Sequence, residues 1–103
     1  MDDIEIKLSK DEMLNILYDI AFEAWRVAER VGPDTPGNKR VGIINTTWRM
    51  YNRALRYEAM VTRDNRDKHM CESARVAVDR VRDAVDHARR FSAKGKKCSR
   101  MAR

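Results

Sequence analysis

Both prolines and two of the four glycines of this 103-residue chain fall within one hexapeptide, Gly32-Pro33-Asp34-Thr35-Pro36-Gly37. Proline has no amide to continue a helical ladder, and glycine loses more conformational freedom in a helix than any other residue. Clustering them makes this stretch the one strong break in the chain, with a long periodic segment on each side. A single domain is expected at this length, since chains divide only when much larger.

The upstream segment opens on Ser9-Lys10-Asp11-Glu12, the pattern of a capping box, in which the Ser9 hydroxyl and the Glu12 carboxylate each take one orphan amide. A helix starting at residue 10 follows. Met13, Leu17, Ile20, Ala24, Val27 and Val31 then recur at alternating steps of four and three, one stripe of an amphipathic helix. Leu14, Tyr18, Ala21, Phe22, Trp25 and Ala28 widen it, so more than one side is expected to be buried. Asp19, Glu23, Arg26 and Glu29 form the wet remainder, and Gly32 is placed to end the helix in a left-handed cap. Before the cap, Ile4, Ile6 and Leu8 alternate as in a short strand.

Downstream of the break, Thr35 is placed to cap a second helix with Pro36 at its first position. Val41, Ile44, Trp48, Tyr51 and Leu55 form its expected core stripe, and the helix is read from 36 to 63. The competing reading makes residues 40–44 a strand, favoured by Val41, Ile43 and Ile44 and by the cost of Gly42 inside a helix; the long helix is preferred. The third segment opens at Asp64 and carries Cys71, Ala74, Val78, Val81, Val85 and Ala88 along one seam, flanked by Met70, Ala77, Ala84 and Phe91 at sevens. Small residues and valines on a seam imply close helix approach. The apolar pattern ends at Phe91, and Ser92–Arg103 reads as a flexible basic tail. The fold expected is mainly all-α: an antiparallel three-helix bundle over residues 1–91, with long second and third helices. A homodimer through the third-helix seam is one way to finish its core.

The charge is uneven. Residues 1–31 carry 8 acids and 4 bases, whereas residues 32–103 carry 8 acids and 18 bases. Over residues 36–63 six bases face the single acid Glu58. Lys39, Arg49, Arg53, Arg56 and Arg63 fall behind the expected apolar stripe, on the back of the helix. From Arg89 to Arg103 there are seven bases and no acid, among them Lys94, Lys96, Lys97 and Arg100. A basic helix face with a basic tail is the electrostatic footprint of a nucleic-acid binder, because fixed guanidiniums displace counterions condensed on phosphates. Asn45 and Asn52 can reach base edges, and Tyr57, beside the arginines, can stack on a base if exposed. The same arginines suit an acidic protein surface, as in a small adaptor or inhibitor of the kind phages and mobile elements encode. They also have an internal use, pairing with Asp19 and Glu23 or with the acids of the third helix.

No catalytic constellation stands out, and the expectation is a non-enzymatic protein without a cofactor. The glycine-proline loop resembles a phosphate cradle only superficially, since Asn38 separates Gly37 from Lys39, no Ser or Thr follows, and a helix rather than a strand precedes it. His69, Cys71 and Cys98 lack the paired short spacings of a zinc site, and Cys71 lies on the apolar seam. Asp83 and His87 are interleaved with arginines that favour salt bridging. Asp79, Asp83 and Asp86 lack acids converging from other helices, as helical metal hydrolases require. Two cysteines 27 positions apart form no disulfide framework. With no apolar run near ~18 residues and no basic leader, a cytoplasmic protein without a membrane partner is expected, and Asn45-Thr46-Thr47 is then an unused glycosylation sequon.

Overall fold

The computed structural model describes residues 8–101, with side chains through residue 90. It consists of three helices: α1 (Lys10–Ala28), α2 (Gly37–Thr62) and α3 (Lys68–Met101). All three pairs are in contact, so the helices close around one core. The start of α1 meets the end of α2 through Lys10, whose Nζ donates to the carbonyls of Met60 and Arg63, both at 2.7 Å. Near the other end, the Trp25 and His87 rings lie 5.3 Å apart. α1 and α3 therefore point the same way and α2 runs against both, the up-down-up order that short connections impose. The expected bundle is the observed one, and residues 40–44 belong to α2 rather than to a strand.

α1 begins as its sequence dictates. The Glu12 amide donates to Ser9 Oγ at 3.1 Å and the Ser9 amide to Glu12 Oε1 at 2.8 Å, completing the capping box. Its far end differs from expectation. The helix stops at Ala28, Glu29 is the cap in ordinary right-handed geometry, and no described glycine has positive φ. Gly32 instead donates its amide to Thr35 Oγ1 at 2.8 Å, so the Thr35 hydroxyl closes the loop behind it rather than capping α2. Pro36 takes the N-cap position, without a side-chain bond. Arg40 ties the loop from the other side, its Nη2 donating to the Pro33 carbonyl at 2.7 Å.

The turn into α3 is also tighter than its sequence suggests. Asp64 does not open the helix; it sits in the left-handed region at φ 49°, a conformation that short polar side chains tolerate better than most. Asp67 is the residue that caps α3, its Oδ1 accepting from the Met70 amide at 3.1 Å. α3 then continues as helix through Met101, past Phe91 where the apolar periodicity ends. Residues 92–101 extend α3, which accords with the good helix formers Ala93, Lys94, Lys96, Lys97 and Arg100 there. At 1.5 Å per residue α3 is about 51 Å long, against about 39 Å for α2 and 28 Å for α1. The alternating segment Ile4–Leu8 falls almost wholly outside the described residues.

The core is built mainly from small side chains. Leu17, Ile20, Ala21, Ala24 and Ala28 come from α1, joined by Val31; Thr47, Ala54 and Val61 come from α2; Ala74, Ala77, Val78, Val81, Ala84, Val85 and Ala88 come from α3. Alanine lets helix axes approach closely, which suits a short three-helix core. Thr47 is fully buried, with its hydroxyl satisfied at the Ile44 carbonyl, 2.9 Å away. The α3 seam is buried from Ala74 to Ala88 against α1 and α2, Met70 and Cys71 are half-buried, and the Phe91 side chain lies outside the described residues. The stretch from Ala74 to Ala88 of that seam is therefore used within the chain, in its own three-helix core.

α2 is rotated from its expected orientation. Val41, Trp48 and Leu55 are 56%, 40% and 37% exposed, while the next row, Thr47, Ala54 and Val61, is buried. Ile44 and Tyr51 are common to both readings and are half-buried. On α1, Tyr18 and Phe22 are likewise exposed rather than buried, and only one broad face packs.

Candidate basic interface on the second helix

The rotation of α2 decides what it shows to solvent. With Thr47, Ala54 and Val61 inward, the opposite side lies about half a turn away, where Arg49, Arg56 and Arg63 fall, with Arg53 and Met60 beside them. Arg49, Asn52, Arg53, Arg56, Met60 and Arg63 are all exposed. The four arginines span about 21 Å along the helix axis. Glu58, the one acid in the helix, is half-buried and turned toward the core side. The outward face of α2 thus carries cations and no acid.

These arginines have no ion-pair partner among the described residues. The ion pairs among the described residues are Arg26 with Glu23 and Arg75 with Glu72, each within one helix. Arg49, Arg53 and Arg56 pair neither with Asp19 and Glu23 nor with the acids of α3, so the internal use of these charges is set aside. Their guanidiniums flank a shallow depression of about 370 Å³, lined by Arg49, Asn52, Arg53, Arg56, Tyr57 and Met60. Every lining residue belongs to α2, so this is space between long side chains on a convex surface rather than a cavity that could enclose a small substrate. Such a surface suits an extended charged ligand.

The remaining candidates are placed differently. Lys39 is exposed at the other end of α2, about 15 Å from Arg49 along the axis. Tyr57 is half-buried, packed against the core on one side and lining the depression between the arginines on the other. Lys94, Lys96, Lys97 and Arg100 lie on the extension of α3, and their side chains fall outside the described residues.

The structure adds Trp48, which the sequence reading placed in the core. It projects beside the arginine row, 5.6 Å from the Tyr51 ring, with Val41 and Leu55 one heptad to either side. Asn45 and Asn52 lie between this apolar row and the arginines. One signal could have found Trp48. α1 and α3 both pack alanines, and the same small-residue seam on α2 passes through Thr47 and Ala54, leaving Trp48 outside.

Among the described residues no three His, Cys, Asp or Glu side chains converge on a point that could hold a metal ion. Cys71 Sγ lies 3.7 Å from the Asn65 carbonyl, and His87 lies against Trp25. No described helix is long and apolar enough to cross a membrane. Comparison with protein-family models, with curated proteins and with solved structures gives no match, so the functional reading rests on the residues themselves.

Proposed function

We propose that this protein binds nucleic acid through the outward face of α2, without catalysing a reaction. The observation that carries the reading is the row Arg49, Arg53, Arg56 and Arg63, exposed, unpaired among the described residues and free of any interleaved acid. A solvated helix needs polar groups outside, but it gains nothing from four like charges on one face; mixed signs would give i,i+4 support instead. A polyphosphate backbone offsets that repulsion and releases condensed cations as it binds. Arginine suits the task because its planar fork meets two oxygens at once. Trp48 supplies a stacking surface beside the row, and Asn45 and Asn52 supply amides able to reach base edges. Lys39 and the bases of the α3 extension, Lys94, Lys96, Lys97 and Arg100, add long-range attraction.

Binding to fluorescent single-stranded and duplex oligonucleotides, followed by anisotropy, tests this. The wild-type protein is expected to bind, and the Arg49→Glu/Arg53→Glu/Arg56→Glu variant to lose binding while keeping its helical content and melting temperature. Binding by the variant equal to wild type would move the site off α2.

A second reading is favoured by the apolar row Val41, Trp48 and Leu55 beside the arginines, because tryptophan and arginine together are typical anchors of protein interfaces. Here the face docks on an acidic surface of a partner protein, as an adaptor or inhibitor would. A single partner captured from nuclease-treated lysate by the wild type and not by the triple variant would favour it over nucleic acid.

A further inference from the structure

A second apolar surface among the described residues lies away from α2. Between α1 and α3 lies a groove of about 780 Å³, floored by Ala21 and Ala77 and walled by Tyr18, Phe22, Trp25 and Val76. Phe22 is 65% exposed, Tyr18 46% and Val76 44%. Three large apolar side chains standing together over a groove form a contiguous patch of the kind that marks an interaction site.

The charges around it indicate what covers it. On the face of α3 centred on Val76, Glu72 and Arg80 lie four residues to either side and His69 and Asp83 seven residues to either side, all exposed. Ser73 and Asp79 stand three residues to either side. When two copies of a helix pack antiparallel about a two-fold axis, a residue k positions before the centre meets the residue k positions after it. Centred on Val76, Glu72 meets Arg80 of the other copy, His69 meets Asp83 and Ser73 meets Asp79, so none of these pairs sets like charges against one another. Moving the two-fold axis by one turn, to residue 72 or 80, puts either Glu72 on Glu72 or Arg80 on Arg80. The face is thus self-complementary about an axis at Val76.

We propose that the groove between α1 and α3 is the docking site for a second copy of this chain, α3 against α3 in antiparallel order about a two-fold axis at Val76. Val76 then packs on its equivalent, and Phe22 and Tyr18 are removed from water. The pair of Arg75 with Glu72 within one helix, at 3.7 Å and well exposed, is weak enough to yield to the contact between copies. No residue of α2 lines the groove, so the dimer leaves the arginine face free and is independent of what that face binds.

Sedimentation equilibrium of the full chain across a concentration series tests the proposal. Wild type is expected to approach twice the 12.1 kDa chain mass. Glu72→Arg and Arg80→Glu, each of which sets like charges opposite one another, are expected to weaken self-association by about tenfold or more. Mixing the two single variants, or combining both changes in one chain, is expected to restore it. Circular dichroism on the same samples checks that each variant is folded, and the double variant decides if either single one is not. A wild type that stays monomeric throughout, single variants that associate like wild type, or a double variant no better than the single ones would each overturn the proposal. Loss of the dimer with oligonucleotide binding intact would leave the α2 reading standing.

Discussion

Lys10 in the first turn of α1 donates its ammonium protons to the carbonyl of Arg63 just beyond the last turn of α2, at 2.7 Å, and equally to that of Met60. The last carbonyls of a helix have no partner in their own ladder and stand at the negative end of its dipole. Lys10 meets both needs from a neighbouring element and fixes where α2 ends against α1. Replacing it with methionine keeps the alkyl stem and removes the charge. Lys10→Met is expected to cost about 1 kcal/mol, discounted for exposure, and to lower the melting temperature by roughly 4–8 °C in a domain of this size. Thermal melts at low and high salt check it, with the larger difference at low salt.

Gly42 sits inside α2, and a Cβ built there meets nothing within 4 Å. Alanine at this position restricts the unfolded chain and adds no clash. Gly42→Ala is expected to stabilise the protein by about 0.5–1 kcal/mol, measured by urea unfolding with an unchanged m value.

The orientation of α2 can be tested with two neighbouring residues. Ala54 is fully buried, whereas Leu55 is 37% exposed. Ala54→Arg forces a charge and a long side chain into a close-packed seam and is expected to cost more than about 4 kcal/mol, enough to unfold a marginal domain. Leu55→Arg is expected to cost about 1 kcal/mol or less. The reverse order of effects in chemical denaturation would restore the stripe of Val41, Trp48 and Leu55 to the core.

Ser9 and Glu12 located the start of α1 because a capping box is a local device whose two bonds need only four residues. The seam from Ala74 to Ala88 was legible because its periodicity is unbroken. α2 was harder: Trp48 and Leu55 are large and apolar, Thr47 and Ala54 small, and a size-weighted reading puts the larger row inside. Packing reversed that order, since α1 and α3 offer small alanines and leave little room between the axes. Thr35 misled for a similar reason, its hydroxyl having a nearer donor in Gly32 than in the helix that follows. The arginine row was legible because it contains no acid. Trp48 beside it was not, and neither was the groove beneath Phe22 and Tyr18, because both depend on which way helices turn.

The salt dependence of oligonucleotide binding is the sharpest test of whether the α2 face contacts phosphates. For duplex DNA, the slope of log affinity against log salt is about −0.9 for each phosphate contacted. Anisotropy titrations from about 50 to 200 mM salt are expected to give a steep negative slope for wild type. Arg49→Gln/Arg53→Gln/Arg56→Gln is expected to flatten it by roughly 2.7, three phosphate contacts' worth. A wild-type slope near zero, or one unchanged by the triple substitution, would contradict the assignment of the α2 face to nucleic acid.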